Sequence, residues 1–114
     1  MEKIILAGSR QFQNYKRLCQ VCSQEIILPV EVISGGAIGA DQLGELYAKL
    51  QGHKLRRFLP NWAKYGKAAG PIRNQLMADY ADRAILFWDG RSRGTLHLIE
   101  ALERRHKPFI LINM

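Results

Sequence analysis

Short runs of aliphatic and β-branched residues punctuate this chain, and between them the apolar residues recur at helical spacing. That alternation limits the fold more than any other feature. Lys3-Ile4-Ile5-Leu6-Ala7 and Ala84-Ile85-Leu86-Phe87-Trp88 are continuous rather than alternating runs, the pattern of strands covered on both faces. Val30–Ser34 is a third strand and Pro108–Ile112 closes the series. His53–Leu59 is more polar and is expected nearer a sheet edge. Between these runs lie four helical patterns. Tyr15, Leu18, Cys19, Cys22 and Ile26 follow Asn14, a residue suited to an N-cap. Leu43, Leu46, Tyr47 and Leu50 line one face of a helix that Gly52 ends. Ile72, Leu76, Met77 and Tyr80 are expected to face inward from a helix with Pro71 in or near its first turn. Leu98, Ile99 and Leu102 mark the last helix, and Pro60–Pro71 reads as a long irregular loop of the kind that carries function.

Strands alternating with helices are joined by right-handed crossovers, which gives parallel strands under two helical layers. The expectation is an α/β chain, a single Rossmann-like three-layer domain over residues 1–114. Its mostly parallel sheet would have about five strands ordered 3-2-1-4-5. Ligands in such sheets sit beyond the carboxyl ends of the strands, where the strand order reverses. Four segments meet there: Gly8–Arg10, Ser34–Asp41, Pro60–Gly70 and Asp89–Thr95. The chain has 17 Lys and Arg against 10 Asp and Glu, a net charge of +7. Arg10, Lys64, Lys67, Arg91 and Arg93 fall in those segments, with Arg73 just inside the next helix. In Ser34-Gly35-Gly36-Ala37-Ile38-Gly39-Ala40-Asp41, the glycines allow positive φ and close backbone approach, and a helix start follows. Such a turn suits a phosphate or carboxylate. It matches neither G-x-G-x-x-G nor the P-loop, and a bare strand-to-helix turn would use the same residues. The convergence of the other basic loops is what marks it as a site.

The chain fits one domain, with no linker or repeat. No apolar run approaches the ~20 residues that span a bilayer, and the opening residues resemble a strand rather than a signal peptide, so a cytoplasmic protein with no membrane partner is expected. Cys19 and Cys22 form a C-x-x-C without further Cys or His at metal spacing, and their apolar neighbours favour buried thiols. His53, His97 and His106 are expected at the surface. No metal or cofactor is implied.

Four collinear stretches then resemble a known family. These are Gly8-Ser9-Arg10, Ser34-Gly35-Gly36-Ala37-x-Gly39-Ala40-Asp41, Pro60-x-Trp62-x-Lys64-Tyr65-Gly66-Lys67-x-Ala69-Gly70-Pro71-x-Arg73-Asn74 and Phe87-Trp88-Asp89-Gly90-x-Ser92-x-Gly94-Thr95. Together they look like the YspA-like domains of the SLOG superfamily, which also holds the DprA/Smf DNA-processing proteins and the cytokinin-activating LOG phosphoribohydrolases. The resemblance covers nearly the whole chain. It implies a Rossmann-like domain that binds a nucleotide or nucleotide-derived ligand, with no settled activity for this branch.

The ligand-binding residues expected on this basis are Gly8, Ser9, Arg10, Gly35, Gly36, Gly39, Asp41, Trp62, Lys64, Lys67, Arg73, Asn74, Asp89, Ser92, Gly94 and Thr95. Trp62 would stack a base or else pack on the core, and Thr95 would donate to a phosphate or merely cap its helix. LOG enzymes carry an Arg that Arg73 resembles, and a P-G-G-x-G-T-x-x-E motif that Asp89–Leu98 matches only in part. The acid of that motif falls on Leu98 here, and Glu100, about 200° further round the helix, is a poor substitute. If the chain is an enzyme, the candidate catalytic groups are Asp41, Asp89 and Arg73, although Asp41 is better suited to capping its helix or holding a ribose hydroxyl.

Three readings follow. The first is a sensor or sequestering domain for a nucleotide-derived small molecule; the second, a hydrolase of a nucleotide N-glycosidic or phosphate linkage. A nucleic-acid module ranks below both, because aromatic and basic residues do not interleave along one strand face. A homo-oligomer is left open.

Overall fold

The structure, a computed structural model, describes residues 1–114. Each apolar run forms a strand: β1 (Lys3–Gly8), β2 (Glu31–Ser34), β3 (Lys54–Arg57), β4 (Arg83–Trp88) and β5 (Phe109–Asn113). All pairings are parallel, in the order β3-β2-β1-β4-β5 predicted from the sequence. The helices are α1 (Tyr15–Glu25), α2 (Ala40–Gln51), α3 (Trp62–Tyr65), α4 (Ala69–Tyr80) and α5 (Arg93–Arg104). Asn14 caps α1, its side chain accepting from the Arg17 N–H at 3.0 Å, and Gly52 ends α2 in the left-handed region.

Strand side chains alternate between the two faces, so each core layer takes every second residue. Ile4, Leu6, Val32, Ile85 and Phe87 pack with α1 and α2, and Phe12 stacks on Phe87 with ring centroids 4.7 Å apart. Ile5, Ala7, Ile33, Ala84 and Leu86 pack with α4 and α5. β1, β2 and β4 are therefore buried on both sides, whereas β3 lies exposed at an edge, as its polar composition indicated.

The structure corrects two expectations about the helices and the long connection. Leu46, Leu50 and Leu76 do not face the core; they are 40%, 62% and 52% exposed. Small residues make the close contacts instead: Ala48 on α2 and Ala78 on α4 are fully buried, and a Cβ at Gly44 would stand 2.7 Å from that of Leu6. Pro60–Pro71 is also not an irregular loop. Asn61 accepts from the Lys64 N–H at 3.1 Å and starts α3, a 3-10 turn follows at Gly66–Ala68, and α4 begins at Ala69. Pro71, third in α4, sits in the first turn, where its missing N–H costs no helical bond.

Cys19 and Cys22 are free thiols, and burial pushes Cys22 up to about 12, which makes it inert at neutral pH. His53 is half-buried rather than at the surface: it stacks on Tyr47, and its Nδ1 accepts from the Val30 N–H at 3.2 Å. No helix is long and apolar enough to cross a membrane.

Candidate functional site

The strand order reverses at β1, and a cavity of about 320 Å³ opens at the carboxyl ends of β1 and β4. Three strand-to-helix connections and the first turns of α4 build its walls.

The β1–α1 connection depends on Gly8. It has φ +155°, and a Cβ there would overlap the Phe87 carbonyl, so only glycine lets β1 leave so close to β4. Ser9 is buried behind the cavity: its N–H donates to the Phe87 carbonyl at 2.8 Å, and its Oγ accepts from the Asp89 N–H at 3.0 Å. Arg10 lies at the exposed rim and lines the cavity.

The β2–α2 turn leans on the same segment. Gly39 holds φ +85° at the start of α2, and a Cβ there would overlap the Ser9 and Arg10 carbonyls. Gly36 also has positive φ, but its open side meets Leu59 and Arg57 rather than the cavity, and its N–H bonds Ser34 Oγ at 3.0 Å. Gly35 does not need positive φ; its carbonyl accepts from Arg73 Nη1 at 2.5 Å. Asp41 does not cap α2, which has no side-chain cap. Its carboxylate accepts from the Ala37 N–H at 3.3 Å and lines the cavity at 5% exposure. Burial pushes this carboxyl up to about 6, against the opposing pull of the Ala37 N–H, the Arg73 charge and the Gly8 N–H.

From α4, Arg73 and Asn74 tie the turns together. Arg73 Nε donates to Asn74 Oδ1 at 2.9 Å, and Asn74 Nδ2 donates to the Gly94 carbonyl at 3.1 Å. Burial lowers the Arg73 pKa, Asp41 counters that shift, and Arg10 adds to it. Arg73 therefore holds the Gly35 turn while presenting charge to the cavity.

In the β4–α5 connection, Asp89 stays exposed. Its Oδ1 accepts from the Arg91 and Ser92 N–H groups, both at 2.8 Å, and these bonds hold its pKa below the usual carboxylate range. Ser92 opens α5; its Oγ lies 3.3 Å from Ser9 Oγ and donates to Thr95 Oγ1 at 3.0 Å. Backbone N–H groups in the first turn of any helix lack intrahelical acceptors. In α5 they belong to residues that line the cavity, Arg93, Gly94 and Thr95.

The cavity thus gathers Gly8, Arg10, Asp41, Arg73, Asn74, Ser92, Gly94 and Thr95, with Ser9, Gly35, Gly39 and Asp89 bracing it from behind or beside. Trp62, Lys64 and Lys67 stand apart, exposed on α3 and the 3-10 turn and outside the lining. Trp62 covers Gly70 rather than the core. Gln11 and Met77 line the cavity without having been singled out from the sequence. Gln11 directly follows the Gly8–Arg10 segment, while Met77 reads only as a core residue. Leu98, 3% exposed, also lines the wall. No three His, Cys, Asp or Glu side chains are grouped to hold a metal.

A doubly wound parallel sheet with a cleft at its reversal point defines the class of Rossmann-like three-layer α/β domains. Within that class, this chain belongs to the YspA, cpYpsA-related SLOG family, whose sequence model matches residues 2–65. The match includes the Gly8–Arg10 and Ser34–Asp41 segments; Arg73 and the β4–α5 connection lie beyond it. Family membership suggests a nucleotide-related function. No curated protein and no solved structure matches the chain.

Proposed function

We propose that the domain binds a phosphate-bearing, nucleotide-derived small molecule in the cavity between β1 and β4, as a sensor or a sequestering protein. The observation that carries this reading is the meeting of a helix start with three arginines. The first turn of α5 offers backbone N–H groups, and Arg10, Arg73 and Arg93 line the same cavity. At about 320 Å³ the volume is at the lower end for ligand sites, which suits one nucleoside monophosphate better than a dinucleotide. The phosphate would lie on Gly94 and Thr95. Asp41 and Asn74, both buried and polar, would face the sugar hydroxyls.

One observation favours the hydrolase reading. Asp41 is a buried carboxylate with a raised pKa in a cleft, the usual setting of an acid–base group. Against it, Leu98 cannot stabilise the positive charge that develops on ribose as a base departs.

Thermal shift and chromatographic detection of free base, run together on a panel of nucleoside monophosphates, distinguish the two. Stabilisation without release of base is the expected result. Release that disappears in Asp41→Asn would replace the binder with a hydrolase, and no stabilisation by any member would sink both.

A further inference from the structure

The two edges of the sheet are chemical opposites. β3 presents Lys54, Arg56 and Arg57 along a strand exposed throughout, and cations on an edge repel a second strand of the same kind. β5 reads Phe109-Ile110-Leu111-Ile112-Asn113, carries no charge, and leaves Leu111 40% exposed. The cation just before it is turned away, since Lys107 Nζ donates to the Asp79 and Ala81 carbonyls at 3.1 and 2.5 Å.

Pairing with β4 also fixes which backbone groups of β5 are free. The Ala84 N–H donates to the Pro108 carbonyl, and the Met114 N–H donates to the Trp88 carbonyl. Backbone groups alternate sides along a strand, so Ile110 and Ile112 face β4 as well, while Phe109, Leu111 and Asn113 point N–H and C=O outward.

We propose that β5 is a self-association edge, on which a second copy of this chain docks its own β5 antiparallel about a two-fold axis at Leu111. That axis sets Leu111 opposite Leu111, Phe109 opposite Asn113, and Ile110 opposite Ile112. Every outward residue then falls in a hydrogen-bonded pair, and the seam is isologous. Moving the axis one residue to either side still sets outward groups against outward groups but leaves Asn113 or Phe109 without a partner in β5. Charge selects the same edge. Each copy carries +7, so two copies repel where cations face each other, and the uncharged β5 strip lets them meet without that opposition. Five residues from each copy make a small interface, which sets a weak dimer in rapid exchange.

Sedimentation across a micromolar-to-millimolar concentration series tests this directly. The average mass is expected to rise from 13.0 kDa towards twice that value. Leu111→Lys puts two cations on the axis and is expected to weaken association by about ten-fold or more. The matching change on the other edge, Leu55→Lys, is expected to leave it unchanged. A second readout does not depend on how well Leu111→Lys folds: in a Cys19→Ser background, Leu111→Cys is expected to give an oxidised dimer. Hydrogen-bonded antiparallel pairs have Cα atoms about 5.5 Å apart, within disulfide range. A protein that stays monomeric throughout, equal losses from Leu55→Lys and Leu111→Lys, or a Leu111→Cys protein that does not cross-link would each overturn the proposal.

Discussion

At the scale of single residues, Asp41 has the clearest measurable consequence. Its carboxyl sits at about 6 in the folded protein against an ordinary 3.8. The folded state therefore holds this proton more tightly than the unfolded state. Stability from Asp41 is fully present below the ordinary value and is lost as pH rises through the folded one. Asp41→Asn removes that loss. Urea unfolding of both proteins at about pH 4 and pH 7.5 should show the variant gaining on the parent by about 2–3 kcal/mol as pH rises. A difference independent of pH would mean that the carboxylate is better solvated or more fully paired with Arg73 than its burial implies. Gly36 shows how a residue's surroundings alter its meaning. The sequence shows a glycine in a phosphate-like turn, yet the space a side chain would enter there belongs to Leu59.

At the scale of elements, the strands were legible because burial on both faces forces unbroken apolar runs, as in Ile4–Ala7 and Ala84–Phe87. Crossover handedness gave parallel strands, and their order rests on the Rossmann-like precedent, since right-handed crossovers also allow 2-1-3-4-5. The helix faces were harder to read because small residues carry the tight packing and leave little apolar periodicity. Leu46, Leu50 and Leu76 gave the stronger signal and proved to be exposed. The α3 segment was hidden for another reason: four residues are too few to show a period, and only Asn61 marks its start. The site was legible where glycines and arginines cluster. Trp62, Lys64 and Lys67, expected there from their loop and from the family resemblance, lie outside the cavity lining. Two helical glycines turn this into a paired test. Gly44→Ala should destabilise by about 1–3 kcal/mol despite alanine's better helix propensity, because its Cβ meets that of Leu6. Gly70→Ala, whose nearest neighbour would be Trp62 at 3.7 Å, should stabilise by about 0.5–1 kcal/mol. Denaturant midpoints of the two variants check the opposite signs.

At the scale of the whole molecule, the central pairing of β1 with β4 governs how the chain acquires its structure. The Lys3 N–H bonds Asp82, 79 residues away, and the register Ile5↔Ala84 continues from there. Until β4 exists, β1 has one bare side and the cavity has half a wall. A fragment ending at Ala68 keeps β1, β2 and β3 but loses α4, α5 and every apolar contact of the second core layer from those helices. It should lack a cooperative melt and fixed near-ultraviolet dichroism, whereas the full chain shows both. Pairings this distant in sequence also slow folding. A ribosome making this protein releases β1 long before its main partner, so for most of synthesis the strand that will lie at the centre of the sheet is an aggregation-prone segment, and the time spent in that state, rather than the final stability, sets the demand on chaperones.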